Sequence, residues 1–210
     1  MMRHWRLIIF DMDGVLLPSI DVHVKAYQDT MRHYELSLNY KKYIGMATDM
    51  AIRKILSDSA VYESEAKIEE LIAAKRQKTD ELLQSPIAVP GAKTVLRLLS
   101  HHSTLALASS AYSSRVEKFL RYNEFGYYFS YVVNAAHLPS KPAPDIYLKV
   151  CNELKVAPEN ALVVEDSIPG VQAGKAAGCI VCGVIGTQTG EELMLVGADY
   201  TINNLVEILN

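Results

Sequence analysis

The 210-residue chain is poor in cysteine, and it has neither a long apolar run nor a long basic one. Cys151, Cys179 and Cys182 do not make a disulfide framework, so a reducing, cytoplasmic setting is expected. With a net charge of −3 and no basic stretch, a nucleic-acid partner is not expected. Residues 1–6 are basic, but the apolar segment behind them is four residues long and ends at Asp11. That is too short for a signal-peptide core or a membrane span, so no membrane partner is expected. Cys179 and Cys182 have the spacing of a metal or redox pair. They border or lie in an apolar run, 180–184, that reads as a buried strand. Residues three apart on a strand face opposite sides, so both thiols are assigned to the core. Repeats and low-complexity segments are also missing. What is present is a chain that is 50% hydrophobic, enough for a large core in one domain or in a domain with a small insert.

The apolar run Leu7-Ile8-Ile9-Phe10 is long enough for a short buried strand and too short for a helix. Asp11-Met12-Asp13-Gly14-Val15 follows directly. In an open α/β sheet, ligands bind outside the carboxyl ends of the strands. Asp11 and Asp13 therefore fall at the mouth of such a crevice, with Gly14 free to turn the backbone. So placed, the two carboxylates supply hard oxygen ligands, a nucleophile toward phosphorus in Asp11 and an acid/base partner in Asp13. Taken alone the motif reads as a polar turn; the rest of the chain reverses that.

Residues 18–86 carry helical patterns and no convincing strand. Tyr27, Met31 and Tyr34 recur at helical spacing, and Met50, Ile52, Ile55 and Leu56 mark a second helix. Residues 65–83 form a long third one. Ile68, Leu71, Ile72 and Leu82 are its apolar side; Lys67, Glu69, Glu70, Lys75, Arg76 and Lys78 are assigned to a solvated side. Residues 36–45 read as a broken region with a turn at Gly45. Two prolines and a glycine punctuate the return at 85–91. Strands and helices then alternate. Strands are expected at 104–108, 131–133, 161–164, 180–184 and 200–202. Helices are expected near 95–99, 116–120, 145–154, 171–177 and 191–195, with Gly178 as a helix stop. This predicts an α/β fold. A doubly wound parallel-sheet core is built from 1–17 and 87–210, with an inserted α-helical subdomain at 18–86.

That topology gathers chemistry at one sheet edge: Asp11 and Asp13, Ser109, Lys141 and the pair Glu165-Asp166. Singly, Ser109-Ser110 is an ordinary loop, Lys141 a surface lysine and Glu165-Asp166 a helix cap. Jointly, the carboxylates exceed what one lysine neutralises, which implies a divalent cation. All-oxygen ligands without His or Cys favour Mg²⁺. Beside Mg²⁺, a lysine and a serine hydroxyl have their natural counterpart in a phosphoryl group. His101 and His102 are assigned structural roles.

Four segments carry a resemblance: Asp11-Met12-Asp13-Gly14-Val15, the apolar strand into Ser109-Ser110, Ser140-Lys141-Pro142-Ala143-Pro144-Asp145, and Val163-Val164-Glu165-Asp166-Ser167-Ile168-Pro169-Gly170-Val171-Gln172-Ala173. Gly197-Ala198-Asp199-Tyr200 adds to them. The whole chain resembles the phosphohydrolases of the haloacid dehalogenase superfamily. The similarity is to the subgroup with a helical cap after the first strand, which includes β-phosphoglucomutase and phosphoglycolate phosphatase. The resemblance implies a Rossmann-like core under a mobile cap, monomeric or homodimeric. The implied activity is an Mg²⁺-dependent phosphatase that hydrolyses a small phosphorylated metabolite through an aspartyl-phosphate. It implies that Asp11 is the nucleophile and Asp13 the acid and then the base, and that Ser109 and Lys141 hold the phosphoryl group. Asp11, Asp13 through its backbone carbonyl, and Asp166 would hold the metal, with Glu165 close by. Ser110, His23 and Gly45 would stand on the substrate side.

The same resemblance ranks the chemistries. Asp13 and the Glu165-Asp166 pair argue against a dehalogenase, and Asp13 against the phosphonate-cleaving branch. β-Phosphoglucomutase is the alternative, served by the same residues, and His23 lies where that enzyme has a cap-hinge histidine. Against it, the loop Tyr40-Lys41-Lys42-Tyr43-Ile44-Gly45 lacks the mutase's substrate-binding arginine, and Tyr112 stands where it has a lysine. Pro18 departs from the acidic residue common before Ser19. A non-catalytic phosphometabolite binder is a remoter alternative, since a binder has no need of a nucleophile paired with an acid.

Overall fold

The computed structural model describes residues 5–36, 39–134 and 138–210. Met1, Met2, Arg3 and His4 of the basic stretch lie outside the described residues. Six strands carry the core: β1 (Leu7–Phe10), β2 (Thr104–Ser109), β3 (Tyr131–Asn134), β4 (Ala161–Glu165), β5 (Ile180–Val184) and β6 (Tyr200–Ile202). They form one parallel sheet in the order β3-β2-β1-β4-β5-β6, with the strand that leads into Asp11 at its centre.

A parallel strand covered on both faces must be apolar throughout, which is why 7–10 reads as a run and not as an alternation. All four side chains are buried. Each gains about 1.5–3 kcal/mol from that burial.

Three helices follow β1: α1 (Ile20–Thr30), α2 (Thr48–Asp58) and α3 (Glu65–Leu82). They pack around an apolar cluster of their own that includes Tyr27, Met31, Ile52, Ile55, Leu56, Leu71 and Ile72. The remaining helices are α4 (Ala92–Leu99), α5 (Ser113–Asn123), α6 (Asp145–Leu154), α7 (Ile168–Ala176) and α8 (Gly190–Leu195). Ile8 and Phe10 pack in one layer with residues of α4 and α5. Leu7 and Ile9 pack in the other with residues of α6, α7 and α8. The sheet is thus doubly wound, as the alternating pattern predicts. Cys182 lies in the first layer and Cys179 in the second, so the two thiols diverge. No helix among the described residues is long and apolar enough to cross a membrane.

Three local readings are corrected. The first helix does not run through Tyr34: it ends at Thr30, and Arg32–Tyr34 is a 3-10 turn closed by Glu35 in the left-handed region. The stretch read as broken contains a second such turn, Tyr40–Tyr43, capped by the Asn39 side chain. On α3, Leu82 is exposed and Lys75 is buried at 2% exposure, the reverse of the expected sides. Lys75 stands four residues after Leu71 and three after Ile72, so it shares their stripe. Leu82 sits at the helix end, beyond that packing.

Candidate active site

The site begins where β1 stops. The Asp11 N–H donates to the Val164 carbonyl at 3.0 Å, one more bond of the β1–β4 ladder, which fixes Asp11 above the strand end. The chain then curls: the Leu16 and Leu17 N–H groups both donate to the Met12 carbonyl, and the Gly14 N–H donates to the Leu17 carbonyl. Gly14 has φ +83°, and a Cβ there would lie 1.9 Å from Asp166 Oδ2. Glycine is required both by the turn and by the approach of Asp166.

Lys141 is fully buried behind Asp11. Its Nζ lies 2.5 Å from Asp11 Oδ1 and 2.7 Å from Glu165 Oε1. Glu165 accepts four more bonds. The Tyr147 hydroxyl donates to Oε1; the Asp166 N–H, the Ser167 N–H and the Ser167 hydroxyl all donate to Oε2, each at 2.9–3.0 Å. Ser167 also caps α7, accepting from the Gly170 N–H. Burial pushes the Glu165 carboxyl up, but Lys141 and these hydrogen bonds outweigh it and hold it below its usual range. With both oxygens committed to protein donors, Glu165 braces Lys141 and the loop that carries Asp166.

Asp11, Glu165 and Asp166 are three buried carboxylates against one ammonium. Asp11 is pushed up by burial, then by Glu165 and Asp13, against the pull of Lys141. Asp166 is pushed well up by burial, then by Glu165 and Asp11. It accepts a bond from the Thr187 hydroxyl. Two buried carboxylates short of positive charge are a donor set suited to a hard divalent cation. Mg²⁺ takes one or two carboxylates and completes its shell with oxygens that are not side chains. Among the described residues no group of three or more His, Cys, Asp or Glu side chains converges as a metal cage, in keeping with so sparse a set. Ser109 ends β2 beside this centre, and its hydroxyl accepts from the Ala111 N–H at 3.1 Å.

Asp13 faces the other way, toward α1, α3 and α5. Ser19 donates to its Oδ1 at 2.5 Å, and Arg115 pairs with the same oxygen. Burial raises the Asp13 carboxyl, but Arg115, then His23 and Ser19, hold it far below the usual range. His23 lies between two cations, with Arg115 Nη2 at 2.9 Å from Nε2 and Lys75 Nζ at 2.8 Å from Nδ1. Burial, then Lys75 and Arg115, push the imidazole down to about 3, so it is neutral. A neutral imidazole has one acceptor nitrogen, and a guanidinium only donates. A single lone pair thus faces two cationic donors, one at each ring nitrogen. Burial, then Arg115, lower Lys75 to about 7, against the pull of Asp13.

Ser110 and Gly45 also meet, though through each other: the Ser110 hydroxyl donates to the Gly45 carbonyl at 2.8 Å. The Ala47 N–H donates to Ser140 Oγ, also at 2.8 Å. These contacts join the helical layer to the sheet edge and close a cavity of about 30 Å³ lined by Asp11, Asp13, His23, Lys75, Ser110 and Arg115, among others. The structure thus brings Asp11, Lys141, Glu165 and Asp166 into one cluster and places Asp13 and His23 in a second beside it. Sequence reasoning missed Arg115 and misplaced Lys75. The position of Lys75 on the apolar stripe of α3 was the available signal; Arg115, next to the apolar Val116, offered none.

Together the fold and the site define an α/β enzyme with an acidic, lysine-braced centre. The chain belongs to the haloacid dehalogenase-like hydrolases, whose family model matches residues 8–184. It is 31% identical over 96% of its length to the bifunctional riboflavin kinase/FMN phosphatase of Arabidopsis thaliana, of which it spans 54%. It is 30% identical over 81% of its length to the fructose-1-phosphate phosphatase YqaB of Escherichia coli, covering 92% of that protein. A β-phosphoglucomutase of Mycobacterium tuberculosis is 26% identical over 97% of this chain and 91% of its own. In fold, a hydrolase from Pseudomonas syringae superposes with a TM-score of 0.89 at 21% identity, over 98% of this chain and 96% of that one.

Proposed function

We propose that the protein is an Mg²⁺-dependent phosphatase acting on a small phosphorylated metabolite, with residues 18–86 as a cap over a core built from 1–17 and 87–210. One observation carries the reading: Asp11 stands at the end of the central strand, 2.5 Å from a buried lysine, with a second aspartate two residues on lining the same cavity. That is a nucleophile with an acid on its leaving-group side. The two full-length relatives above divide between phosphatase and mutase. Phosphatase is favoured because the 40–45 loop has no arginine and position 112 is Tyr. A cytoplasmic setting fits the three free thiols.

In this mechanism an Asp11 carboxylate oxygen bonds to phosphorus in line as the ester P–O bond breaks. Asp13 gives its proton to the departing oxygen. Asp13 then takes a proton from water, whose oxygen attacks the aspartyl-phosphate and releases phosphate. Lys141 offsets charge on Asp11 and the phosphoryl oxygens, held in place by Glu165 and Tyr147. Ser109 hydrogen-bonds a phosphoryl oxygen. Asp11, the Asp13 carbonyl and Asp166 would hold Mg²⁺, with Glu165 behind them as a brace. The ion supplies charge that keeps Asp11 ionised and screens it from the phosphoryl oxygens. The cap contacts through Ser110, Gly45 and Ala47 exclude water.

The test is phosphate release from a panel of phosphomonoesters with and without Mg²⁺, using Asp11→Asn as the blank. Mg²⁺-dependent release that disappears in Asp11→Asn is expected. Formation of glucose 6-phosphate from β-glucose 1-phosphate without phosphate release would give the mutase instead.

A further inference from the structure

The leaving-group pocket holds more positive charge than this mechanism uses. Arg115 and Lys75 are both buried, with Arg76 on the same wall. Asp13 is the carboxylate that Arg115 meets. Asp11 is already answered by Lys141, and Asp80 accepts from the Tyr112 hydroxyl. Lys75 Nζ meets His23 and, at 4.5 Å, the ring of Tyr27, but no carboxylate within 4.0 Å among the described residues. Arg115 Nε is buried without a hydrogen-bond partner.

That last point has a geometric meaning. The Nε and Nη2 hydrogens of arginine form the side-on fork that grips a carboxylate or phosphate through two oxygens. In Arg115, Nη2 is divided between Asp13 Oδ1 and His23, while Nε bonds to nothing. The fork is half used.

We propose that Arg115, backed by Lys75, receives a second anionic group on the substrate, a carboxylate or a second phosphate. The proposal rests on the phosphatase reading. Arg115 touches the residue that protonates the ester oxygen, so the second anion lies within a few bonds of that oxygen. It offers the fork two oxygens in exchange for one. A leaving group without charge leaves the Nε hydrogen unanswered. The discrimination therefore appears in kcat/KM.

The experiment uses three matched esters with Mg²⁺ and the wild-type chain: ethane-1,2-diol monophosphate, phosphoglycolate and ethane-1,2-diol bisphosphate. The expected result is a kcat/KM for at least one anionic ester about tenfold or more above the neutral one. Whether phosphoglycolate or the bisphosphate leads identifies the anion. In Arg115→Met the preference falls toward unity, whatever the absolute rates. Arg115→Lys, which keeps the charge and loses the fork, retains part of it. Lys75→Met lowers it severalfold. Turnover of all three esters without preference overturns this proposal and leaves the phosphatase standing, as does an equal loss on every ester in Arg115→Met. If Arg115→Met does not fold, the wild-type preference and its reduction in Arg115→Lys carry the decision. Silence toward the whole panel overturns the phosphatase and the proposal together.

Discussion

Replacing Lys75 by methionine should stabilise the protein, although it removes a buried hydrogen bond. The Lys75 side chain is 2% exposed, and burial followed by Arg115 lowers it from its ordinary 10.5 to about 7. The unfolded chain keeps its proton up to about 10.5, whereas the folded one releases it near 7. Between those values the unfolded state binds more protons, so this residue's contribution to stability rises with pH across that window. Below pH 7 both states are protonated and the full cost is present. At about 1.36 kcal/mol per pH unit, the gap corresponds to about 4–5 kcal/mol. Methionine fills a similar volume with nothing to desolvate. It forfeits the contact with His23 and the cation–π contact with Tyr27, each worth about 1 kcal/mol. A net gain of about 2 kcal/mol is expected at pH 6, shrinking as the pH rises from 7 toward 10. Urea unfolding of both proteins at pH 6, 7.5 and 9 measures it. A Lys75→Met protein less stable than wild type at pH 6, or a difference that does not change with pH, would refute the reasoning.

Lys141→Met should act in the opposite direction, because it leaves Asp11 and Glu165 buried without their shared cation. A loss of about 3–5 kcal/mol in urea unfolding is expected, with loss of turnover; unchanged stability would contradict the brace. Gly45→Ala meets a φ of +90° and puts a Cβ 2.2 Å from Ser167 Oγ. It should lower kcat/KM at least about tenfold through the contact at Ser110 and cost more than about 1 kcal/mol in urea unfolding. Ser167→Ala removes the cap of α7 and one donor to Glu165, and calorimetry should show a loss of about 1–2 kcal/mol.

What is legible in the chain, and what is not, divides by the range of the signal. Asp11, Ser109, Lys141 and Asp166 each follow a strand or stand in a short loop, so position along the chain translates directly into position at the sheet edge. The strands are legible for the same reason: 7–10, 161–165 and 180–184 are buried on both faces and carry no polar alternation. The second half of the site is of another kind. His23, Lys75 and Arg115 come from α1, α3 and α5, and the contacts of His23 span 52 and 92 residues. The buried stripe of α3 runs Ile68, Leu71, Ile72, Lys75, Thr79, so periodicity marks Lys75 as out of pattern. It does not say whether the amine snorkels to solvent or meets a partner. Charge balance is the quantity that separates the two halves. The excess of carboxylate around Lys141 can be counted from motifs, because its members sit at strand ends or in the short loops beside them, and that count by itself points to a cation. The excess of cations around Asp13 exists only once three helices are packed against one another. A metal can therefore be inferred from this sequence, whereas an anionic partner on the substrate can be inferred only from the fold.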